Sequence, residues 1–362
     1  MNINQLRVRF GLLFLGGFSL LVGLWAGMAR LGWILPTPTD QFVIVHGPLM
    51  VVGFLGTLIG LERAVALGRF WPYAIPGLSA LSALAALAGL SVQVSAALAI
   101  VASVLLIGVF IALYRQYPAE HFVIMGLSAF AWSAGNILWV VSLPFYYVVP
   151  WWAGFLVLMI AGERLELSRV RRPSVTIRAM FHVSAAVVLV GLVLSIIEFD
   201  SGVHFAGLGL LLIALWLLRY DLAWHSAHQA GLPRYMAICL IAGYFWLAAG
   251  SVLWILFAEF FSAGPRYDAM LHTIFLGFVF SMIFAHAPII LPTITGLALP
   301  FQRIFYLHAA LLHASLLLRI TGDLGLRLPL QQWGGLLNTL AILLFLVNNV
   351  RAVKARLLSH RQ

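Results

Sequence analysis

Asp268 to Gly296 reads DAMLHTIFLGFVFSMIFAHAPIILPTITG, and the rest of the chain is interpreted from this stretch. Its only acidic residue is Asp268 and it has no Lys or Arg. A helix rises about 1.5 Å per residue, so the run is long enough to cross the ~30 Å hydrocarbon core of a bilayer. It also carries His272 and His286. In a regular α-helix these imidazoles stand roughly 21 Å apart along the axis. Steps of about 100° bring them to nearly the same face. Ionisable groups inside a membrane span are costly to place there and mark functional sites. The expectation is a spanning helix that ligates a metal cofactor, haem first, near its outer end.

The remainder has the same character. Of 362 residues, 63% are hydrophobic and 9% are charged, against about 25% charged in a soluble domain. A mean hydropathy of +1.04 leaves no room for a soluble domain. The expected fold is all-α: one polytopic membrane domain over residues 1–362. A β-barrel would show short alternating segments instead. The net charge of +10 raises nucleic acid as a partner. The Lys and Arg sit at the ends of apolar runs, where they set topology, so nucleic acid is set aside. Cys239 lies within an apolar run and reads as packing. The first apolar run follows Arg7 and Arg9. It has no small-residue cleavage site after it, and reads as the first span.

Apolar runs near 9–28, 42–64, 72–91, 94–114, 122–142, 145–162, 177–197, 203–219, 234–257, 268–292, 303–320 and 331–350 give about twelve spans. Twelve spans put both termini on one side. Of the 21 Lys and Arg, only Arg30, Arg266, Arg319 and Arg327 then fall on the other side. This bias places both termini in the cytoplasm, with the bacterial cytoplasmic membrane as the expected location.

Spans 2, 6 and 10 share a faint pattern. GFLGTLIGLER starts at Gly53, GFLVLMIAGER at Gly154 and GFVFSMIFAHA at Gly277. Each has Gly-Phe and, nine residues after the Gly, an ionisable residue: Glu62, Glu163 or His286. The spacing suggests three pseudo-symmetric four-helix units; chance recurrence of common residues is the alternative.

His46, in VIVHGPLMVVGF, and His272 fall at similar depths of spans 2 and 10. Two neutral imidazoles at matched depth can hold a haem iron axially, and each alone can equally be an interhelical hydrogen bond. His182, His286 and His308 fall in the cytoplasmic half and His313 near mid-membrane. They are candidates for a second haem or a copper ion, and otherwise for a proton path or helix–helix bonds. His225 and His228 read as a solvated loop, and His121, His204 and His360 carry no role. Glu62-Arg63 and Glu163-Arg164 read as interfacial ion pairs with snorkelling arginines, or as proton-uptake carboxylates. Arg319 and Asp323 are spaced for an i,i+4 pair, and Arg319 is also a candidate to hold haem propionates. Asn136, Asn348 and Asn349 read as helix–helix bonds. Tyr146, Tyr147, Trp151 and Trp152 read as an interfacial belt. Pro288 is expected to bend or open the helix beside His286.

VHGPLMVVGF, with His46, Met50, Gly53 and Phe54, resembles the second-span His-Ala-His-Glu-Met motif of the NnrS family of haem- and copper-containing membrane proteins. LHTIFLGF, from Leu271 to Phe278, resembles that family's later His-Ala-Leu-Thr motif. MIAGERLEL and LLLRITGDL are also similar. One family histidine and the Glu of the second span are absent here, and the later His-Thr-Gly-Arg motif reads ILPTITG. These departures remove ligands from a full haem-and-copper set. HGPLM also resembles the second helix of haem–copper oxidase subunit I, which has twelve spans in three groups of four. Histidines for the oxidase copper site have no counterpart here.

The resemblance implies a haem protein, b-type, with copper as a further cofactor. It would handle nitric oxide or transfer electrons in nitrogen-oxide metabolism, with quinol or cytochrome c as donor. Oxidoreductase activity on nitric oxide requires an open-site metal. The rival reading is a metal-free, proton-coupled transporter or channel with a histidine-lined path.

Overall fold

The computed structural model describes residues 3–38 and 42–359. His360 and Arg361 lie outside them. We number the twelve long helices α1 Ile3–Arg30, α2 His46–Leu67, α3 Trp71–Leu87, α4 Val92–Gln116, α5 Glu120–Val140 and α6 Phe145–Ser168. They continue as α7 Val175–Ile197, α8 Phe199–Tyr220, α9 Leu232–Leu256, α10 Gly264–Thr295, α11 Phe305–Leu324 and α12 Leu328–Ser359. The described residues contain no strand. Each helix coincides with one apolar run, and ten are long and apolar enough to cross a membrane. The chain is an all-α polytopic membrane protein. The other two are the shorter α3 and α11, whose apolar length is interrupted by His308, His313, Arg319 and Asp323.

Local chemistry accounts for the breaks. Gly68 closes α2 in the left-handed region, with φ 68°, and its N–H donates to Ala64 O. The turn between α3 and α4 uses Gly89, φ 74°. Ser91 then caps α4 by accepting from Val94 N at 3.4 Å. Glu198 caps α8 by accepting from Ser201 N at 2.7 Å.

The helices pack as two compact units, Met1–Phe155 with Thr293–Gly296, and Leu156–Pro292 with Leu297–Gln362. This two-way grouping differs from the three groups of four that the Gly-Phe pattern suggests. In the first unit α2 packs on α1 and α3, and α4 packs on α3 and α5. In the second, α7–α8 and α11–α12 are tight hairpins, and α9 lies against α8 and the middle of α10. Small residues make the hairpins possible. A Cβ on Gly191 or Gly202 would meet the main chain of Ala206 or Ser195 across the α7–α8 contact. In lipid, helix association depends on such close approach.

Three local expectations are corrected. First, α10 is not a regular α-helix: Thr273–Phe280 is π-helical. A π-turn holds more residues than 3.6, so the step of ~100° does not apply between His272 and His286. Second, α10 does not open at Pro288. It runs through Pro288 and Pro292 to Thr295. Third, Trp151 and Trp152 are not belt residues but are buried in the first unit. The Trp152 Nε1–H donates to Asn136 Oδ1 at 3.0 Å, and Asn136 Nδ2 donates to Ala99 O. This bears out the helix–helix bond expected of Asn136. Cys239 is buried, as expected.

Candidate functional site

The same local device occurs once in each unit. In α2, His46 lies just before a π-helical run, Leu49–Gly56. In α10, His272 lies just before the run Thr273–Phe280. π-turns in otherwise α-helical segments concentrate at functional sites. Each run has glycine where a neighbouring helix presses in. A Cβ on Gly53 would meet Ala83 Cβ at 2.5 Å and Ser19 Oγ at 2.8 Å. One on Gly277 would meet Trp246 Cβ at 2.5 Å. The Gly-Phe pattern of spans 2 and 10 therefore has a physical basis, whereas α6 carries it in a plain α-helix.

His46 is placed by α1. Its Nδ1 lies 2.7 Å from Gly23 O and donates its proton there, which leaves the lone pair on Nε2. The ring lies directly against Gly27, where a Cβ would fall 2.9 Å from Cε1 and 3.0 Å from Nδ1. Gly23 likewise admits Met50. The sequence reading missed Gly23 and Gly27. Their signal was present as GLWAG, a pair of glycines four apart in an apolar helix.

His272 belongs to an ionic cluster in the second unit. Arg319, from α11, grips Asp268 with both prongs, Nε to Oδ2 at 2.7 Å and Nη2 to Oδ1 at 2.8 Å. His272 Nδ1 donates to Asp268 O at 2.9 Å and lies 3.2 Å from Asp268 Oδ1. Arg319 Nη2 also reaches His272 Nε2 at 3.3 Å. An arginine has no lone pair, so in this contact Nε2 accepts and the Nδ1–H faces Asp268. Asp268 thus joins two helices and orients the imidazole. The i,i+4 pair expected between Arg319 and Asp323 is not formed, because Asp268 takes the guanidinium. Asp323 is fully buried, and neither carboxyl oxygen has a hydrogen-bond partner among the described residues.

The remaining histidines are dispersed. His308 is fully buried. Asn348 Nδ2 donates to its Nδ1 at 3.1 Å, and its Nε2 lies 2.9 Å from the Tyr235 hydroxyl. This is a helix–helix bond on both sides of the ring. His313 Nδ1 accepts from Trp246 Nε1 at 3.1 Å. The Nδ1 atoms of His182 and His286 each lie 2.7 Å from the carbonyl four residues earlier, of Arg178 and Met282. Among the described residues no three His, Cys, Asp or Glu side chains are gathered as a metal site would gather them. His225 and His228 are exposed, as expected of a loop. Arg164 is not a snorkelling residue. It is buried and grips Asp221 through Nε and Nη2, both at 2.8 Å. Arg63 pairs with Glu62 at 2.7 Å, as expected.

A family model described as "Domain of unknown function (DUF8744)" matches residues 9–354. The chain belongs to this family. No curated protein matches it. The matched stretch takes in both π-helical runs, both of their histidines and the whole Asp268–Arg319 cluster, so these features lie within the family's common extent.

Proposed function

We propose that this protein binds haem in the membrane, with His46 and His272 as the residues that would hold it. The observation that carries the reading is the placement of the two imidazoles. Each stands at the start of a π-helical run and donates Nδ1–H to a main-chain carbonyl, so Nε2 holds the lone pair. That is how metal-ligating imidazoles are held, with the second nitrogen anchored and the tautomer set. The donor set therefore fits iron. Arg319, at 3.3 Å from His272 Nε2, is a long contact that a metal would displace.

Haem held by these residues would supply electron transfer. The chain's own residues do the holding: Gly23 and Gly27 seat the His46 ring, and Asp268 orients the His272 ring. By resemblance to the NnrS family the work is nitrogen-oxide metabolism, with a quinol or cytochrome c as electron donor. The charge bias of the loops supports a bacterial cytoplasmic membrane with both termini inside. Copper, on His182, His286, His308 and His313, would need these side chains to gather, and among the described residues no group of three or more metal-ligating side chains is formed.

Haem content tests the proposal. Pyridine haemochrome analysis of the purified protein should find haem in the wild type and less than about a tenth as much in His46→Ala or His272→Ala. Unchanged content in both variants would refute the ligand assignment.

A second reading, a proton-coupled transporter, draws support from the Asp268–Arg319–His272 cluster. Membrane-embedded carboxylates paired with Arg and His recur where protons are carried.

A further inference from the structure

Two carboxyl groups, Asp268 and Asp323, share one guanidinium, that of Arg319. Both prongs of Arg319 are spent on Asp268. Asp323 is fully buried and neither of its carboxyl oxygens has a hydrogen-bond partner among the described residues; Asp268, Gln331 and the Arg319 guanidinium are the polar groups beside it. A buried carboxylate that accepts no hydrogen bond, beside a guanidinium already forked to another carboxylate, is costly to ionise, and such a group neutralises instead. A second carboxylate alongside adds like-charge repulsion.

Neighbouring elements offer no other remedy. From α10 the groups facing the site are Asp268 and His272, and His272 points its proton at a carbonyl. On α11 itself the basic group is Arg319, already committed. From α12 comes Gln331, which is neutral. Arg327, in the connecting turn, is exposed. On α9, Tyr235 is engaged with His308, and Tyr244 lies by Arg164 and Asp221.

We propose that Asp323 is a proton-binding site, carrying its proton at neutral pH while Asp268 stays ionised in the grip of Arg319. The ligand is a proton and not a metal cation, since among the described residues no three His, Cys, Asp or Glu side chains are gathered here as a metal site would gather them. The site stands on the second unit's geometry alone and does not depend on haem.

The test uses the full-length protein in detergent. Infrared spectra at neutral pH, in H2O and in heavy water, should show a protonated-carboxyl C=O stretch that shifts on deuteration. The band should be absent from Asp323→Asn. Melting gives an independent readout. A buried acid that keeps its proton in the fold loses stability as pH rises above the ordinary carboxylate range, because the unfolded chain ionises freely. Wild type should therefore lose melting temperature with rising pH more steeply than Asp323→Asn. At neutral pH the Asn variant, a neutral stand-in, should melt no lower than wild type. Equal infrared spectra for the two proteins would overturn the proposal. So would an Asn variant that melts well below wild type with the same pH slope. Stabilisation of wild type but not the variant by sodium chloride over choline chloride would overturn it in favour of a bound cation.

Discussion

Arg319→Met is expected to lower the stability of the detergent-purified protein by about 3–5 kcal/mol, the cost of stranding a buried charge. The pair is bidentate, 2.7 and 2.8 Å, and the Arg319 side chain is 8% exposed. Without the guanidinium, the Asp268 carboxylate is left buried with no counter-charge. The destabilisation belongs to the leftover carboxylate and not to a lost attraction, so a second change should reverse most of it. Asp268→Leu combined with Arg319→Met removes both charges and should be far more stable than Arg319→Met alone. Arg319→Lys should recover little, because an ammonium cannot reproduce the fork. Denaturant melts of the four proteins check this. A loss below about 1 kcal/mol in Arg319→Met would mean a solvated pair, as at a protein surface.

Gly27→Leu is expected to reduce haem affinity by about 10–100-fold, the usual effect of disturbing the groups that hold a ligating imidazole. A Cβ at this position already lies 2.9 Å from the His46 ring, so a leucine must push the ring out of place. The chain carries its own control. Gly17, on the same helix, meets nothing within 4 Å, and Gly17→Leu should leave haem content unchanged. Haem titration of the apoprotein variants reads the difference. Equal affinity for Gly27→Leu and Gly17→Leu would remove His46 from the site.

The helices were legible because apolar length is a property of sequence alone: each of the twelve runs is a helix. In the short break before α4, Gly89 supplies the turn and Ser91 the cap. Partners across helices were less legible. Arg319 and Asp323 had the spacing of a pair, but spacing cannot show that Asp268, fifty-one residues back, presents its carboxylate to the same guanidinium. Arg164 similarly turns inward to Asp221 instead of out to the interface. Hydropathy also cannot distinguish an α-turn from a π-turn, so the relation of His272 to His286 was misjudged from ideal geometry. Trp151 and Trp152 looked like a belt because amphipathic aromatics serve both purposes; only the packing against Asn136 separates them. The Gly-Phe pattern, read as a repeat of four-helix units, coincides with π-helical runs in α2 and α10 and with a plain α-helix in α6.

The most direct test of the central claim is an optical spectrum of the wild-type protein purified from haem-replete cells. The account predicts a Soret band that shifts on dithionite reduction. A colourless preparation whose iron content is at background would contradict it.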